Sequence, residues 1–161
     1  MIYLLVPGLP LSANHAYFTK GHIRTLSTKG KKYKNETVTY FQKEYRSAMM
    51  FFKPNVRYQI YFRFHVEGVQ NKLWKDRNSK VNRYKKFDGG NLCKLLEDCL
   101  AAAGGIDDSQ TMRSIWEKKE GTPERTEVFA WNLDEEHDPF DFDFFLSYSD
   151  HLRLVERDRN Q

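Results

Sequence analysis

The stretch RYQIYFRFHVE, residues 57–67, alternates apolar and polar side chains without a break. Tyr58, Ile60, Phe62, Phe64 and Val66 fall on one side of an extended chain. Arg57, Gln59, Tyr61, Arg63, His65 and Glu67 fall on the other. A period of two over this length predicts a half-buried β-strand with one face on a core and one toward water. On that reading His65 is a surface residue.

Working outward from this strand, the periodicity changes. Upstream, Val38, Phe41, Tyr45, Ala48, Met49 and Phe52 recur at helical spacing and predict a helix over 34–52, ended by Pro54. MIYLLV at the start reads as a short strand. PGLPLSANHAYFTKGHIR, residues 7–24, is rich in turn formers and reads as a loop. Downstream, Leu92, Leu95, Leu96, Cys99, Leu100 and Ala103 make the apolar stripe of a second helix over 91–103, stopped by Gly104 and Gly105. TMRSIWEKKEG and TEVFAWNL then read as two strands around a turn at Gly121–Pro123. Together these elements predict an α/β protein of the mixed α+β kind, a small mixed sheet with two main helices.

Bulk properties narrow the classes. At 161 residues one domain is expected, large enough for a core without metal or disulfide staples. No apolar run approaches the ~18 residues of a membrane helix, and the N-terminus lacks the basic start of a signal peptide. The two cysteines, Cys93 and Cys99, point about 120° apart on a helix and cannot bridge locally. The expectation is a reduced, cytoplasmic protein. The acidic, aromatic segment from Asp134 holds no Lys or Arg up to Asp150. It divides the chain into a domain at 1–133 and an extension at 134–161, read as a disordered appendage, a mask over a basic groove or a protein-docking segment.

Charge is segregated along the chain. Residues 1–86 hold 18 Lys and Arg against 4 Asp and Glu; residues 87–161 hold 8 against 18. The connection over 68–87 carries Lys72, Lys75, Arg77, Lys80, Arg83, Lys85 and Lys86 against Asp76 alone, with Trp74 and Tyr84 among them. Basic residues interleaved with aromatics suit phosphate contacts and base stacking, so nucleic acid is the expected partner. Lys29, Lys31 and Lys32 add to the basic set. An acidic group follows: Asp88, Glu97, Asp98, Asp107 and Asp108. Carboxylates are what a hard cation such as Mg²⁺ needs for phosphodiester hydrolysis. Each also has an ordinary reading: Asp88 as a helix cap, Asp107–Asp108 as a turn, Lys94 and Asp98 as a helix-surface ion pair.

The order of short motifs carries more than any one of them. Pro10, Ser12, Asn14 and Tyr17 are followed by Leu26, Ser27, Gly30 and Tyr33. The basic segment comes next, then Asp88, Asn91, Lys94, Asp98 and Leu100, then Asp107 to Gln110. This order resembles the RusA family of Holliday-junction resolvases over roughly residues 5 to 120. The resemblance implies a homodimeric endonuclease of phages and bacteria, using Mg²⁺ or Mn²⁺ to cut four-way DNA junctions during recombination and repair. By position it implies Asp88, Lys94 and Asp108 as catalytic and Asp88, Asp107 and Asp108 as metal ligands. Asn14 joins the basic segment as a DNA contact. The family's D-x-D-N motif reads Asp88–Gly89–Gly90–Asn91 here, so Gly90 stands where the second catalytic aspartate belongs. Two functions stay open: a resolvase working with fewer carboxylates, and a binder of branched or single-stranded DNA that cuts weakly or not at all. A protein-interaction module acting through the acidic tail is a third.

A helix of about 13 residues is about 20 Å long. Asp88 and Asp107–Asp108 flank such a helix, joined to its end by a short link. The expectation is therefore that each site is completed in trans, Asp88 of one subunit meeting the aspartate pair of the other.

Overall fold

β4 (Tyr58–Val66) is the strand that the alternation predicts, and it lies inside the main sheet. The computed structural model describes residues 1–76, 78, 80–84 and 88–135, with only the backbone of Lys20. Among these residues the sheet runs β1 (Ile2–Pro7), β6 (Arg125–Asn132), β4, β5 (Thr111–Glu120). β6 is antiparallel to both β1 and β4, and β5 is parallel to β4. The fold is thus mixed α+β around a mixed sheet. The predicted turn at Gly121–Pro123 does join β5 to β6, but the two strands straddle β4 instead of pairing. The connection passes over the end of β4, where Gly121 lies so close to His65 that a Cβ would sit 2.7 Å from its Nδ1.

The even side of β4 is core: Tyr58, Ile60, Phe62, Phe64 and Val66 are each at most 7 % exposed. Burying each such side chain is worth roughly 1.5–3 kcal/mol. The odd side is more enclosed than the alternation predicts, because β4 has a neighbour on each flank. Gln59 and His65 are buried. Arg63 pairs with Glu117 of β5 and Glu127 of β6. His65 is not a surface residue; its Nε2 lies 2.9 Å from Glu127 Oε1. Burial alone would raise the Glu127 carboxyl, yet hydrogen bonding to His65 and the nearby Arg63 hold it below its ordinary value.

A parallel neighbour needs a crossover, and α4 (Gly89–Gly104) supplies it between β4 and β5. Its predicted stripe of Leu92, Leu95, Leu96, Cys99 and Leu100 is buried. Both thiols are free, and burial pushes each up to about 12. α4 packs against α2 (Thr28–Glu44), which is followed by the short α3 (Arg46–Met49). No helix among the described residues is long and apolar enough to cross a membrane.

The N-terminal region departs most from the sequence reading. The expected loop folds as α1 (Ala13–Ala16) and a hairpin of β2 (Tyr17–Lys20) and β3 (Ile23–Leu26). α2 begins at Thr28, six residues before the predicted start. Ser27 is its N-cap, with Oγ accepting from Gly30 N at 3.0 Å. The polar run Lys29–Lys34 hides that start because it adds no apolar period. Ser12 caps α1 in the same way. The serines of the N-terminal motifs therefore build helix starts. Ser27→Ala should lower unfolding stability by about 0.5–2 kcal/mol, read as a drop in the urea midpoint.

Candidate active site

The site begins at the first residue before α4. Asp88 is the N-cap; Oδ1 accepts from Asn91 N at 3.1 Å and Oδ2 from the Asn91 side-chain amide. This exchange fixes the carboxylate at the solvent-exposed helix start, where the helix dipole favours negative charge.

The two glycines that follow differ in kind. Gly89 is buried under the indole of Trp116 on β5, and a Cβ there would lie 2.3 Å from the ring. Only hydrogen fits. Gly90 is exposed, and the nearest atom to a Cβ would be Asp88 Oδ1 at 3.6 Å. A side chain at 90 has room and would stand beside the Asp88 carboxylate.

Lys94, on the second turn, ties the site together. Its Nζ lies 2.9 Å from Asp108 Oδ2 and 3.3 Å from Asp98 Oδ1. Hydrogen bonding to Asp108 holds its pKa above the usual lysine value, against the opposing effect of burial. Asp98 accepts a hydrogen bond from the Tyr17 hydroxyl at the start of β2. Burial and this bond push the Tyr17 phenol well above its ordinary range, and Arg24 lies 4.6 Å over its ring. The i,i+4 spacing foretells the Lys94–Asp98 pair. Nothing local foretells Tyr17, which is 81 residues away in sequence.

Asp108 reaches Lys94 because the chain reverses after α4. Gly105 takes a left-handed conformation at φ 69°, and Ile106 N returns to Ala101 O at 3.0 Å. Asp107 then caps a 3₁₀ turn over Asp108–Gln110: its side chain accepts from Ser109 N at 2.9 Å, and hydrogen bonding to the Ser109 side chain and backbone lowers its pKa. Gln110 Nε2 donates to Lys53 O and Val56 O, both at 2.9 Å, anchoring the turn. Asp108 thus lies at the tip of the Lys94 side chain, which also reaches Asp98 on the following turn of α4. Lys94 is six residues from Asp88, about 9 Å along the axis. The link folds back along the helix far enough for Asp108 to reach the Lys94 side chain.

Asp88, Asp107 and Asp108 are all exposed; Asp88 and Asp107 each cap a helical turn, and Asp108 pairs with Lys94. Glu97 lies against β5 near Ser114, and burial raises its carboxyl. Among the described residues no three His, Cys, Asp or Glu side chains converge as an all-protein metal cage would require. Mg²⁺ does not need one: it is commonly held by one or two carboxylates, with waters and substrate phosphates completing the shell. Asp88 and Asp108 fit that donor set in type and exposure.

The ends of the basic connection meet. A bridge between Gln70 and Tyr84 and the bond Asn71 N to Arg83 O at 2.8 Å close it into a loop. Arg83 lies 5.0 Å over the Trp74 ring and 5.4 Å over Tyr84. Lys72, Lys75, Lys80, Arg83 and, on α1, Asn14 are exposed. Arg77, Lys85 and Lys86 lie outside the described residues, as does the extension from Glu136 onward. Asp134, where the extension begins, pairs with Arg57 at 2.7 Å.

The family model for endodeoxyribonuclease RusA matches residues 7–129. No curated protein matches the chain.

The contrast between the two glycines is measurable. Gly89→Ala should cost about 1–3 kcal/mol through overpacking against Trp116. Gly90→Ala should be neutral or gain up to about 1 kcal/mol from helix propensity. Denaturant midpoints of the two variants check this.

Proposed function

The chain belongs to the RusA endodeoxyribonuclease family, and from that premise we propose that it cuts four-way DNA junctions by paired phosphodiester hydrolysis, each site built from Asp88, Lys94 and Asp108 of a single chain. The observation that supports this most is the Lys94 ammonium held against Asp108, one and two-thirds turns from Asp88.

The roles follow from chemistry and exposure. Asp88 and Asp108, with Asp107 adjoining, would hold Mg²⁺ or Mn²⁺. Bound there, the metal would neutralise phosphate charge and lower the pKa of an attacking water. Lys94 keeps its proton and offers a positive charge to the non-bridging phosphate oxygens as negative charge builds on them. Asp98 and Tyr17 act through Lys94, fixing its direction. Lys72, Lys75, Arg77, Lys80, Arg83, Lys85 and Lys86 contact the DNA backbone, and Trp74 and Tyr84 hold Arg83 for that purpose. Asn14, exposed on α1, adds a polar contact.

A second copy of the chain fits the requirement for paired cuts. The sheet face away from the helices carries Tyr3, Tyr61, Phe129 and Trp131, with adjacent ring centroids 5.1–6.1 Å apart. Tyr3 is 48 % exposed. Such an apolar face suits a two-fold seam.

The open space at Gly90 favours one other reading, a junction binder with weakened cutting. Asparagine caps a helix about as well as aspartate, so Asp88→Asn separates the two roles of that residue. Junction binding should be kept and cutting in Mg²⁺ or Mn²⁺ lost. Gly90→Asp should raise cutting above wild type, since a third carboxylate enters beside Asp88 without a clash. A wild-type protein that binds junctions and nicks them in neither metal would select the binder. Parallel loss of binding and cutting in Asp88→Asn would assign Asp88 to the fold alone.

A further inference from the structure

A cavity of about 560 Å³ opens beside Asp88. Leu9, Pro10 and Leu11 from the segment after β1 form one wall, and Leu92 from α4 forms another. Ser12, His15, Tyr33 and Asp88 supply its polar groups, and Tyr33 also lends an aromatic ring. A mostly apolar recess with a few polar groups is the usual form of a small-ligand site, and the volume falls in the usual range of about 300–1,000 Å³. The N-terminal motif and the start of α4 meet in this one place, although about 75 residues separate them in sequence.

We infer that this cavity receives an unstacked nucleobase of the DNA strand whose phosphate lies at Asp88. Asp88 is part of the wall, so a ligand filling the cavity reaches the proposed site of hydrolysis without a gap. A nucleotide joins a flat, largely apolar ring to an anionic phosphate, matching an apolar recess that abuts a site for metal and phosphate. Base edges carry donors and acceptors that Ser12 and His15 can meet. Where a four-way junction is held open, the bases at the exchange point lose a stacking partner, which lowers the cost of turning one out. The inference rests on the proposed function and adds to it a nucleotide-reading element, the segment Leu9–His15.

The test uses the full chain and a fluorescent four-way junction, with binding followed by anisotropy in Ca²⁺. A series of junctions carries one abasic nucleotide at each position around the exchange point. One position should weaken wild-type binding about tenfold, the scale of one lost stacking contact. Leu11→Trp, which fills the cavity, should bind the intact junction about as weakly as wild type binds that abasic one, and should no longer distinguish the two. Equal wild-type affinity for every abasic junction would overturn the inference while leaving the junction-cutting reading intact, and that scan decides the matter even if Leu11→Trp does not fold. Failure to prefer the intact junction over a duplex of the same sequence would overturn both.

Discussion

Lys94 stands between two carboxylates, Asp98 on its own helix and Asp108 on the returning chain. For the contact to exist the chain must reverse after Gly104 and run back beside α4. Exposed ion pairs of this sort contribute about 0–1 kcal/mol each, too little to enforce the reversal. Packing does that: α4 buries its leucine stripe, the left-handed Gly105 turns the chain, and Gln110 fastens the 3₁₀ turn to the backbone before β4. The ion pairs then choose where the side chains point. Tyr17 extends the same order to the N-terminal hairpin, so the first motif in the sequence and the last meet at one lysine.

This arrangement also accounts for the site's being sparse in acid. Asp107 is occupied by its cap, Glu97 is turned toward β5, and Asp98 serves Lys94 and Tyr17. Asp88, itself a cap, and Asp108, paired with Lys94, remain exposed. Gly90 is a gap in chemistry and not in packing, since the space beside Asp88 would accept a side chain. Its neighbour Gly89 is a packing requirement set by Trp116.

Periodic elements were legible in the sequence and their partners were not. β4 and α4 could be read because apolar residues recur at periods of two and of 3.6 along a contiguous segment. The fate of the odd face of β4 could not be read from that segment, because His65 and Gln59 are covered by β5 and β6, which lie more than 40 residues downstream. Likewise the two strands after α4 were visible, but not the insertion of β4 between them. The start of α2 is not legible in the sequence because its first turn is polar and its signal is a single capping serine. The site residues Asp88, Lys94 and Asp108 came from motif order. The Lys94–Asp108 contact did not, since helix length alone suggested that the aspartate pair lies far from the start of α4, and only a tight reversal brings Asp108 back to Lys94.

Whether the site is built in one chain or across two is open to direct measurement by subunit mixing. Asp88→Asn and Asp108→Asn chains, each inactive alone, would be co-refolded into mixed dimers and given a labelled four-way junction with Mg²⁺, with co-refolded wild type as the positive control. Assembly within one chain predicts no cutting, because each subunit carries one defect in its own site. Nicking by the mixed dimer would mean that Asp88 of one subunit works with Asp108 of the other, and would contradict the account.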